Sequence, residues 1–459
     1  MGALPLQVGI GTGENIGFLH RANSWRPGRL SASDFLPSRW GFSTIKTQST
    51  AASELHFRYQ AVRDLTESLA APLTAEDQSI QSMPEASPTK WHRAHTTWFF
   101  ESFLLQPHLR DYHLFHPKFG YLFNSYYQAL GTRHPRPERG LISRPGVAEI
   151  GDYRRYVDAA MELLLQQNPS DEVAALVELG INHEQQHQEL LLMDIKHVLW
   201  QNPLRPAYAD LPDRDARPAP PLKWIEHQGG LIEQGHSGSG FGYDNEFPRH
   251  KVWCEPFALA SRPVTNGEWR AFIADGGYER PELWLSAGWD TVCQRDLQAP
   301  LYWSLRQEEI FTLGGPQRLD WDSSVCHVSY YEADAFATWA GARLPTESEW
   351  ESIASEVPLA GAFLDQKVLQ PSAEPNGDGV QQMYGDVWEW SSSAYLPYPG
   401  YRAPEGAVGE YNGKFMVNQH VLRGGSCATP EGHIRASYRN FFPPDARWVF
   451  SGVRLARSL

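Results

Sequence analysis

Long apolar runs and basic blocks are both missing from this sequence. No stretch of about eighteen apolar residues occurs, which is the length that a membrane-spanning helix needs. Lysine and arginine total 40 against 54 acidic residues, which gives a net charge of −14. Such a balance disfavours a nucleic acid or an anionic membrane as the partner. We therefore expect a cytoplasmic protein with neither a nucleic-acid nor a membrane partner.

Cysteine is also scarce, with four residues in a chain of 459 and no Cys-x-x-Cys pair. So few cysteines exclude a disulfide scaffold, and the missing pair disfavours a cysteine-based zinc site. The length instead predicts at least two domains, because one hydrophobic core rarely serves so many residues.

Helical patterns dominate residues 49–200. Apolar residues at helical spacing predict helices at 53–69 and 153–167, and Ser170 caps a further helix that runs to about residue 200. Ser87 is expected to cap a helix that passes through WHRAHTTWFFESFLL, with proline at its first position. Four long helices indicate a four-helix bundle.

The segments on either side of this bundle differ from it in composition. Residues 1–48 are rich in arginine, glycine and serine, and we expect a poorly ordered N-terminal extension there. Residues 201–222 hold six prolines, which predicts an extended linker. Residues 223–459 contain 12 of the 17 tryptophans, which indicates an irregular α+β domain. Clear helices are few there, and one is predicted from Tyr331 to Ala340, capped by Ser329.

The clearest chemical signal is the segment NHEQQHQELLLMDIKH, residues 182–197. His183 and His187 are four residues apart, so on a helix they share one face and can bind one metal ion. The segment also matches the zinc-protease motif HExxH, with Glu184 as the general base. We disfavour that interpretation, because Glu184 is expected to point away from the bundle interior. Met193 also stands where one protease class has its third histidine.

A third imidazole has two candidates in the segment WHRAHTTWFFE. His92 and His95 are three residues apart, and their spacing does not choose between them. Three neutral imidazoles with open coordination positions suit Fe(II), zinc or nickel. The pattern therefore predicts a three-histidine metal site in the bundle and leaves the metal open.

Several motifs, taken in order, resemble a known family. The segments SPTKWHRAHTTWFFESFLL, FNSYYQALGTRHPRPERGLISRP and NHEQQHQELLLMDIKH resemble the DinB-like domain of the sulfoxide synthases of ergothioneine biosynthesis (EgtB). Downstream, RPVTNGEWRAFI, VSYYEADAFATWAGARLPTESEWE, QMYGDVWEWSSS and RNFFPPDARWVFSGVRLAR resemble the formylglycine-generating-enzyme fold, a C-type-lectin-like fold. The implied fold class is multidomain α and α+β, a DinB-like four-helix bundle followed by this second domain.

The resemblance also implies an activity and its metal ligands. His95, His183 and His187 correspond to the iron ligands of the family. The implied enzyme is an oxidoreductase that uses Fe(II) and O2 to couple a thiol to C2 of the imidazole of hercynine, histidine betaine, as a sulfoxide. Formylglycine formation is not expected, because no cysteine follows Cys427.

Three other functions remain open at this point. An ovothiol-type synthase would act on the other imidazole carbon, and a DinB-type thiol S-transferase would use its metal without O2. A lectin-like adhesin would hold only a structural metal.

Substrate contacts follow in part from the same resemblance. Gln186 and Asn440 correspond to residues that contact hercynine in the family. Phe441 and Phe442 follow Asn440 and are candidates for an aromatic wall, because a quaternary ammonium group prefers aromatic faces.

Candidates for proton donation and for binding the thiol lie in the long connection between the second and third predicted helices of the bundle. Tyr126 and Tyr127 are the favoured proton donors, ahead of four tyrosines of the second domain, Tyr395, Tyr398, Tyr401 and Tyr411. The nearby arginines are candidates to pair with the carboxylate of the thiol: Arg133, Arg136 and Arg139. Cysteine is favoured over γ-glutamylcysteine, because the arginine spacing differs from that of family members that use the dipeptide.

Overall fold

Helices form the first half of the chain in the computed structural model, which describes residues 44–211, 217–373 and 377–459, with side chains from residue 53. In chain order they are α1 (Thr44–Ala70), α2 (Thr89–Phe100), α3 (Gln106–His108), α4 (Phe119–Phe123), α5 (Val147–Gln166) and α6 (Asp171–Gln201). The four long helices α1, α2, α5 and α6 confirm the predicted bundle, and α2 packs against both α5 and α6. Most of the extension expected at residues 1–48 lies outside the described residues.

The two predicted helix caps had different outcomes. Ser170 caps α6, and its side chain accepts from the Val173 amide at 3.4 Å, as expected. The prediction for Ser87 was wrong, because Pro88 occupies the capping position of α2. The Ser87 amide instead donates to Asp194 at 2.7 Å, and its hydroxyl accepts from Arg139 at 2.8 Å. Tertiary partners therefore outweigh the local signal there.

Short helices and strands alternate in the second half. Its α-helices in the described ranges are α7 (Asn266–Ala274), α8 (Ser286–Arg295), α9 (Tyr330–Trp339) and α10 (Glu347–Ala354). The predicted helix is α9, and Ser329 caps it together with Glu332. We did not predict α7, α8 or α10, although α7 and α10 carry the same signal. Each begins with a threonine followed three residues later by glutamate, which forms a capping box.

The strands are short and belong to several small sheets. They are β1 (Trp224–His227), β2 (Gly230–Gln234), β3 (His250–Cys254), β4 (Phe257–Ala260), β5 (Trp303–Ser304), β6 (Glu309–Thr312), β7 (Gly315–Arg318), β8 (Gly361–Ala362), β9 (Tyr384–Gly385), β10 (Trp388–Ala394), β11 (His420–Arg423), β12 (Asn440–Phe442), β13 (Ser451–Gly452) and β14 (Ala456–Ser458). The sheet orders are β12-β11-β10-β13, β1-β4-β14 and β5-β6-β7, with β2-β3 and β8-β9 as pairs. Short strands beside helices confirm the α+β prediction.

The C-terminal part of α6 contacts the second domain. Its Glu189 accepts hydrogen bonds from Trp388 at 2.7 Å, Ser426 at 2.6 Å and Thr429 at 2.8 Å. The connection after α6 is packed as well, because the Tyr208 hydroxyl donates to the Leu69 carbonyl at 2.6 Å. Among the described helices, none has the length and apolar character needed to span a membrane.

Candidate metal centre

Three histidines from two helices of the bundle meet near the second domain. His95 lies on α2, and His183 and His187 lie one turn apart on α6. Each imidazole places one nitrogen within 4.8 Å of a nitrogen of the other two. His95 and His183 are buried, and His187 is partly buried. The structure thus brings together the three residues that the resemblance named.

Hydrogen bonding fixes the orientation of His95. Its Nδ1 lies 2.5 Å from the Phe123 carbonyl oxygen, which can only accept, so Nδ1 carries the proton. The lone pair is then on Nε2, which lies 3.2 Å from Nε2 of His183. Two nitrogens bound to one metal at about 2.1 Å each lie about 3 Å apart when their bonds are at right angles. The separation therefore fits two ligands of one ion.

Burial keeps these imidazoles neutral, as metal ligands must be. It lowers the pKa of His183 to about 3 and also lowers the pKa values of His95 and His187, which the neighbouring imidazoles lower further. Nδ1 of His183 is buried and has no hydrogen-bond partner among the described residues. The donor set is all-nitrogen and uncharged, which fits a divalent transition metal such as Fe(II).

His92 lies beside the three ligand candidates rather than among them. Its Nδ1 is 2.9 Å from Nδ1 of His187, and its Nε2 is 3.0 Å from Asp194 Oδ2. Both ring nitrogens of His92 are therefore engaged, one with His187 and the other with Asp194, so neither is free to serve as a ligand in the cluster. The choice that spacing left open falls on His95.

Aromatic rings enclose the imidazoles. Trp91 stacks on His95 with ring centres 4.6 Å apart, and Trp98 lies on it at 5.5 Å. Phe99 packs on His183 at 4.8 Å from the bundle side. Such walls exclude water and hold the imidazoles in one orientation.

Glu184 does not point away from the bundle interior, so that expectation was wrong. The side chain is fully buried and forms ion pairs with Arg63 at 2.7 Å and Arg154 at 3.0 Å. It also accepts a hydrogen bond from Thr66 at 2.7 Å. These cations hold the pKa of the carboxyl low against the opposing effect of burial. A carboxylate neutralised in this way is a structural anchor of the bundle rather than the base of a protease.

The tyrosine candidates of the bundle and one of the second domain form one group. The Tyr126 ring lies against the rings of Tyr127 and Tyr411, with ring centres 4.7 Å and 5.9 Å apart. Burial raises the pKa of all three, so each phenol keeps its proton at neutral pH. Tyr411 also packs on His183, with ring centres 5.6 Å apart.

The remaining tyrosine candidates are engaged elsewhere. Tyr395 stacks on Phe441 at 4.0 Å, and its hydroxyl accepts from Asn245 at 2.9 Å. The Tyr398 hydroxyl accepts from Gln234 at 3.0 Å, and the Tyr401 hydroxyl donates to Asp244 at 2.7 Å. Of the predicted tyrosines, Tyr411 therefore has the ring contact with a candidate ligand.

Gln186 links α6 to the second domain. Its amide nitrogen donates to the Tyr438 hydroxyl at 2.6 Å, and its carbonyl oxygen accepts from the Tyr411 hydroxyl. On β12, Asn440 accepts from the Phe441 amide at 2.9 Å. Phe441 faces Phe415 at 6.0 Å, and Phe442 packs on Trp448 at 5.9 Å. Successive strand residues point to opposite faces, so the two phenylalanines cannot form one wall.

The three predicted arginines occupy different environments. Arg133 is exposed and donates to the Ser125 carbonyl, next to Tyr126. Arg136 is exposed and donates to the Glu85 carbonyl. Arg139 is buried, with its Cζ 3.4 Å from the centre of the Trp91 ring. That position supports the ring that stacks on His95 and argues against the predicted carboxylate contact for Arg139.

Several residues at the site carried no signal in the sequence. Tyr243 stacks on Tyr411 at 5.6 Å, and Phe415 packs on Tyr126 at 5.2 Å. Glu410 accepts from the backbone amides of Gln128 at 3.0 Å and Ala129 at 2.9 Å. These contacts join loops that are far apart in the chain, where no periodicity relates the residues.

Comparison with known proteins supports both halves of this architecture. The sulfatase-modifying factor enzyme 1-like domain family matches residues 209–374 and 365–459, which confirms the fold predicted for the second domain. The hercynine oxygenase of Mycolicibacterium thermoresistibile is 33% identical over 399 residues, which cover 81% of this chain and 88% of the relative.

Two further proteins are similar to this chain. The hercynine oxygenase of Mycolicibacterium smegmatis is 33% identical over 406 residues, 82% of this chain and 92% of the relative. The formylglycine-generating enzyme of Streptomyces coelicolor is 30% identical over 302 residues, 55% of this chain and 94% of the relative. Because the first two relatives span bundle and second domain alike, the chain belongs to the hercynine oxygenase family.

Proposed function

We propose that this protein is an Fe(II)- and O2-dependent sulfoxide synthase that couples cysteine to C2 of the hercynine imidazole in ergothioneine biosynthesis. The observation that carries the proposal is the cluster His95, His183 and His187, neutral and walled by aromatic rings, in a chain of the hercynine oxygenase family. A neutral three-nitrogen set leaves coordination positions open for two substrates and O2.

The proposed reaction balances without an external reductant. The C2–H bond of hercynine and the S–H bond of the thiol are lost, and a C–S bond and an S=O bond form. O2 takes up four electrons, two from each bond-forming step, and its second oxygen atom leaves as water with the two released protons. When bound, Fe(II) supplies thiolate binding and O2 activation, and the chain supplies the remaining functions.

We assign hercynine to the space between Gln186, Asn440 and the aromatic residues that connect them. The quaternary ammonium group needs ring faces rather than hydrogen-bond donors. Tyr126, Phe415 and Phe441 supply a continuous aromatic path there, with ring centres 5.2 Å and 6.0 Å apart. Phe442 lies on the opposite face of β12 and is therefore assigned to packing.

We assign the carboxylate of the thiol to Arg133. This arginine is exposed and lies next to Tyr126, whereas Arg136 extends toward Glu85 and Arg139 is buried under Trp91. One guanidinium beside Tyr126 suits a thiol with one α-carboxylate. Free cysteine therefore remains the favoured thiol over γ-glutamylcysteine.

We assign proton donation to the hydroxyl group of Tyr411, with Tyr126 and Tyr127 behind it. Burial raises the pKa of Tyr411, so that the phenol remains protonated until a stronger base develops beside it. Its hydrogen bond to Gln186 holds the hydroxyl beside α6, and its ring packs on His183 with ring centres 5.6 Å apart. The Tyr126 ring packs on Tyr411 with ring centres 5.9 Å apart, and we assign to Tyr126 the return of a proton to it.

One assay tests the reaction, the thiol and the ring position together. The protein is loaded with Fe(II) without oxygen and mixed with hercynine and either cysteine or γ-glutamylcysteine. O2 is then admitted, and the products are identified by mass spectrometry and NMR. The expected product is the cysteine sulfoxide attached to imidazole C2, with one O2 consumed per coupling.

Each alternative function gives a different result in this assay. Coupling at the other imidazole carbon would indicate an ovothiol-type synthase. Thiol transfer without O2, with zinc as the active metal, would indicate the S-transferase. No product from an iron-loaded sample would contradict the proposal and leave a structural metal.

A further inference from the structure

We propose that His92 and Asp194 form a hydrogen-bonded chain that holds His187 with Nε2 turned toward the metal. The inference rests on the metal site of the proposed function but not on its reaction. It concerns two side chains that have no place among the ligands or the substrate contacts described above.

The protons along this chain follow from what each atom can do. The Asp194 carboxylate only accepts, so His92 Nε2, at 3.0 Å, must donate. A neutral His92 then has its lone pair on Nδ1, which lies 2.9 Å from His187 Nδ1. His187 Nδ1 must therefore carry the proton, and its Nε2 is left with the lone pair that a metal ligand needs.

The chain joins the two helices that carry the ligands. His92 stands three residues before His95 on α2, and Asp194 stands seven residues after His187 on α6. Both side chains are almost completely buried, with exposed fractions of 3% and 5%. Asp194 is fixed in turn by the backbone amide of Ser87, which donates to it at 2.7 Å. The chain therefore sets the orientation of His187 and the spacing of α2 and α6 together.

His187 needs this support more than the other two ligand candidates do. His95 is held by the backbone carbonyl of Phe123, and no substitution of the Phe123 side chain removes that acceptor. His183 is fully enclosed, and Phe99 packs on its ring. His187 is only partly buried, so packing alone constrains it less. Partners of this kind typically change metal affinity about 10- to 100-fold when they are removed.

Cobalt(II) provides a readout that does not depend on turnover. The metal-free full-length protein is titrated with Co(II) in the absence of oxygen, and both the Kd and the visible absorption of the bound ion are recorded. His92→Leu removes the chain, and we expect its Kd to rise by about 10- to 100-fold, with altered Co(II) absorption. His92→Asn keeps an acceptor near the former Nδ1 position, so we expect its Kd to lie between those of His92→Leu and the unchanged protein.

A matched control is available on the same helix. His197 is a buried histidine of α6 whose Nδ1 hydrogen-bonds to Ser82 at 2.7 Å, outside the proposed chain. His197→Leu should leave the Co(II) absorption unchanged and the Kd within about twofold. If His92→Leu does not fold, Asp194→Asn replaces it, because the amide keeps the volume and an acceptor. Its Kd is expected to rise several-fold.

Three results would overturn the proposal. The first is a foldable His92→Leu protein with an unchanged Kd and absorption, and the second is His92→Asn no better than His92→Leu. The third is an unchanged Kd for Asp194→Asn. Failure of the coupling reaction with hercynine would leave all of these binding results interpretable, since none of them requires turnover.

Discussion

The two walls of the candidate metal centre are built in different ways. The bundle wall consists of side chains at fixed positions on α2 and α6, and its three imidazoles point inward because helix periodicity puts them there. The wall from the second domain consists of loops: Tyr243 comes from one segment, and Tyr411 and Phe415 come from another that is remote in the chain. One wall is determined locally and the other by contacts between distant residues.

The second wall depends on buried charges for its shape. Arg435 pairs with the fully buried Glu246 at 2.8 Å, and its guanidinium lies 5.4 Å from the Tyr243 ring centre. Arg439, next to Asn440, pairs with Glu347 at 2.9 Å and 3.0 Å. Loops lack the regular hydrogen bonds of a helix, so ion pairs and stacked rings take over the task of positioning. The comparison predicts that metal binding belongs to the bundle wall, and that the chemistry also requires the second wall.

Loss of a ligand tests the bundle wall most severely. For His187→Ala we expect metal affinity to fall by more than about 100-fold, the upper range for a residue that only supports a ligand. Coupling activity should disappear with it. Iron content after dialysis and product formation give the two measurements, and His197→Ala is the control that keeps both. If the His187→Ala protein still bound iron and remained active, His187 would not be a ligand.

The buried charge of the bundle is tested through stability. Glu184→Gln leaves Arg63 and Arg154 with one buried partner fewer, and loss of such a partner costs about 3–5 kcal/mol. We expect about 3 kcal/mol, because Asp158 and Glu67 still pair with the two arginines. Urea unfolding measures the change.

A second glutamate on α6 provides the control for that measurement. Glu178 pairs with Arg58, which is 41% exposed, so Glu178→Gln should cost no more than about 1 kcal/mol. Equal losses for the two variants would mean that the Glu184 cluster contributes no more than a surface pair.

The second wall is tested by Tyr411→Phe, which removes one hydroxyl and keeps the ring on His183. We expect coupling to slow by about 100-fold, the lower range for loss of a positioned proton donor. Iron affinity should remain within about twofold, because no ligand changes. Tyr395→Phe is the control from the same domain. Stopped-flow product analysis compares the coupling rates of the two variants. A parallel fall in iron affinity would show that the walls cannot be separated.

The smallest expected effect concerns the contact between the two walls. Glu410→Gln weakens the hydrogen bonds to the amides of residues 128 and 129 and the ion pair with Lys414 at 2.9 Å. A partly exposed pair of this kind contributes about 0–1 kcal/mol, so KM should rise by no more than about fivefold. Steady-state kinetics with both substrates measure it. A larger rise, or a fall in kcat alone, would contradict a role limited to holding the loop closed.

The sequence predicted the bundle wall well because its signals are local. Apolar residues at helical spacing placed the four helices, and the separation of His183 and His187 placed them on one face. Ser329 with Glu332 marked α9, and the same signal at Thr265 and Thr346 could have marked α7 and α10. Each of these features depends on residues within one or two helical turns.

The sequence by itself determined the helices, the histidine pair and, through ordered motifs, the family. Helical spacing left His92 and His95 open, the ordered motifs pointed to His95, and the structure places His95 with the pair. Only the tertiary structure decided that Glu184 is buried and that Tyr411 packs on His183. Spacing along a helix predicts the face on which a side chain lies, but it does not tell which neighbouring helix or loop packs against that face. That choice depends on packing between residues that are remote in the chain, which no local pattern encodes.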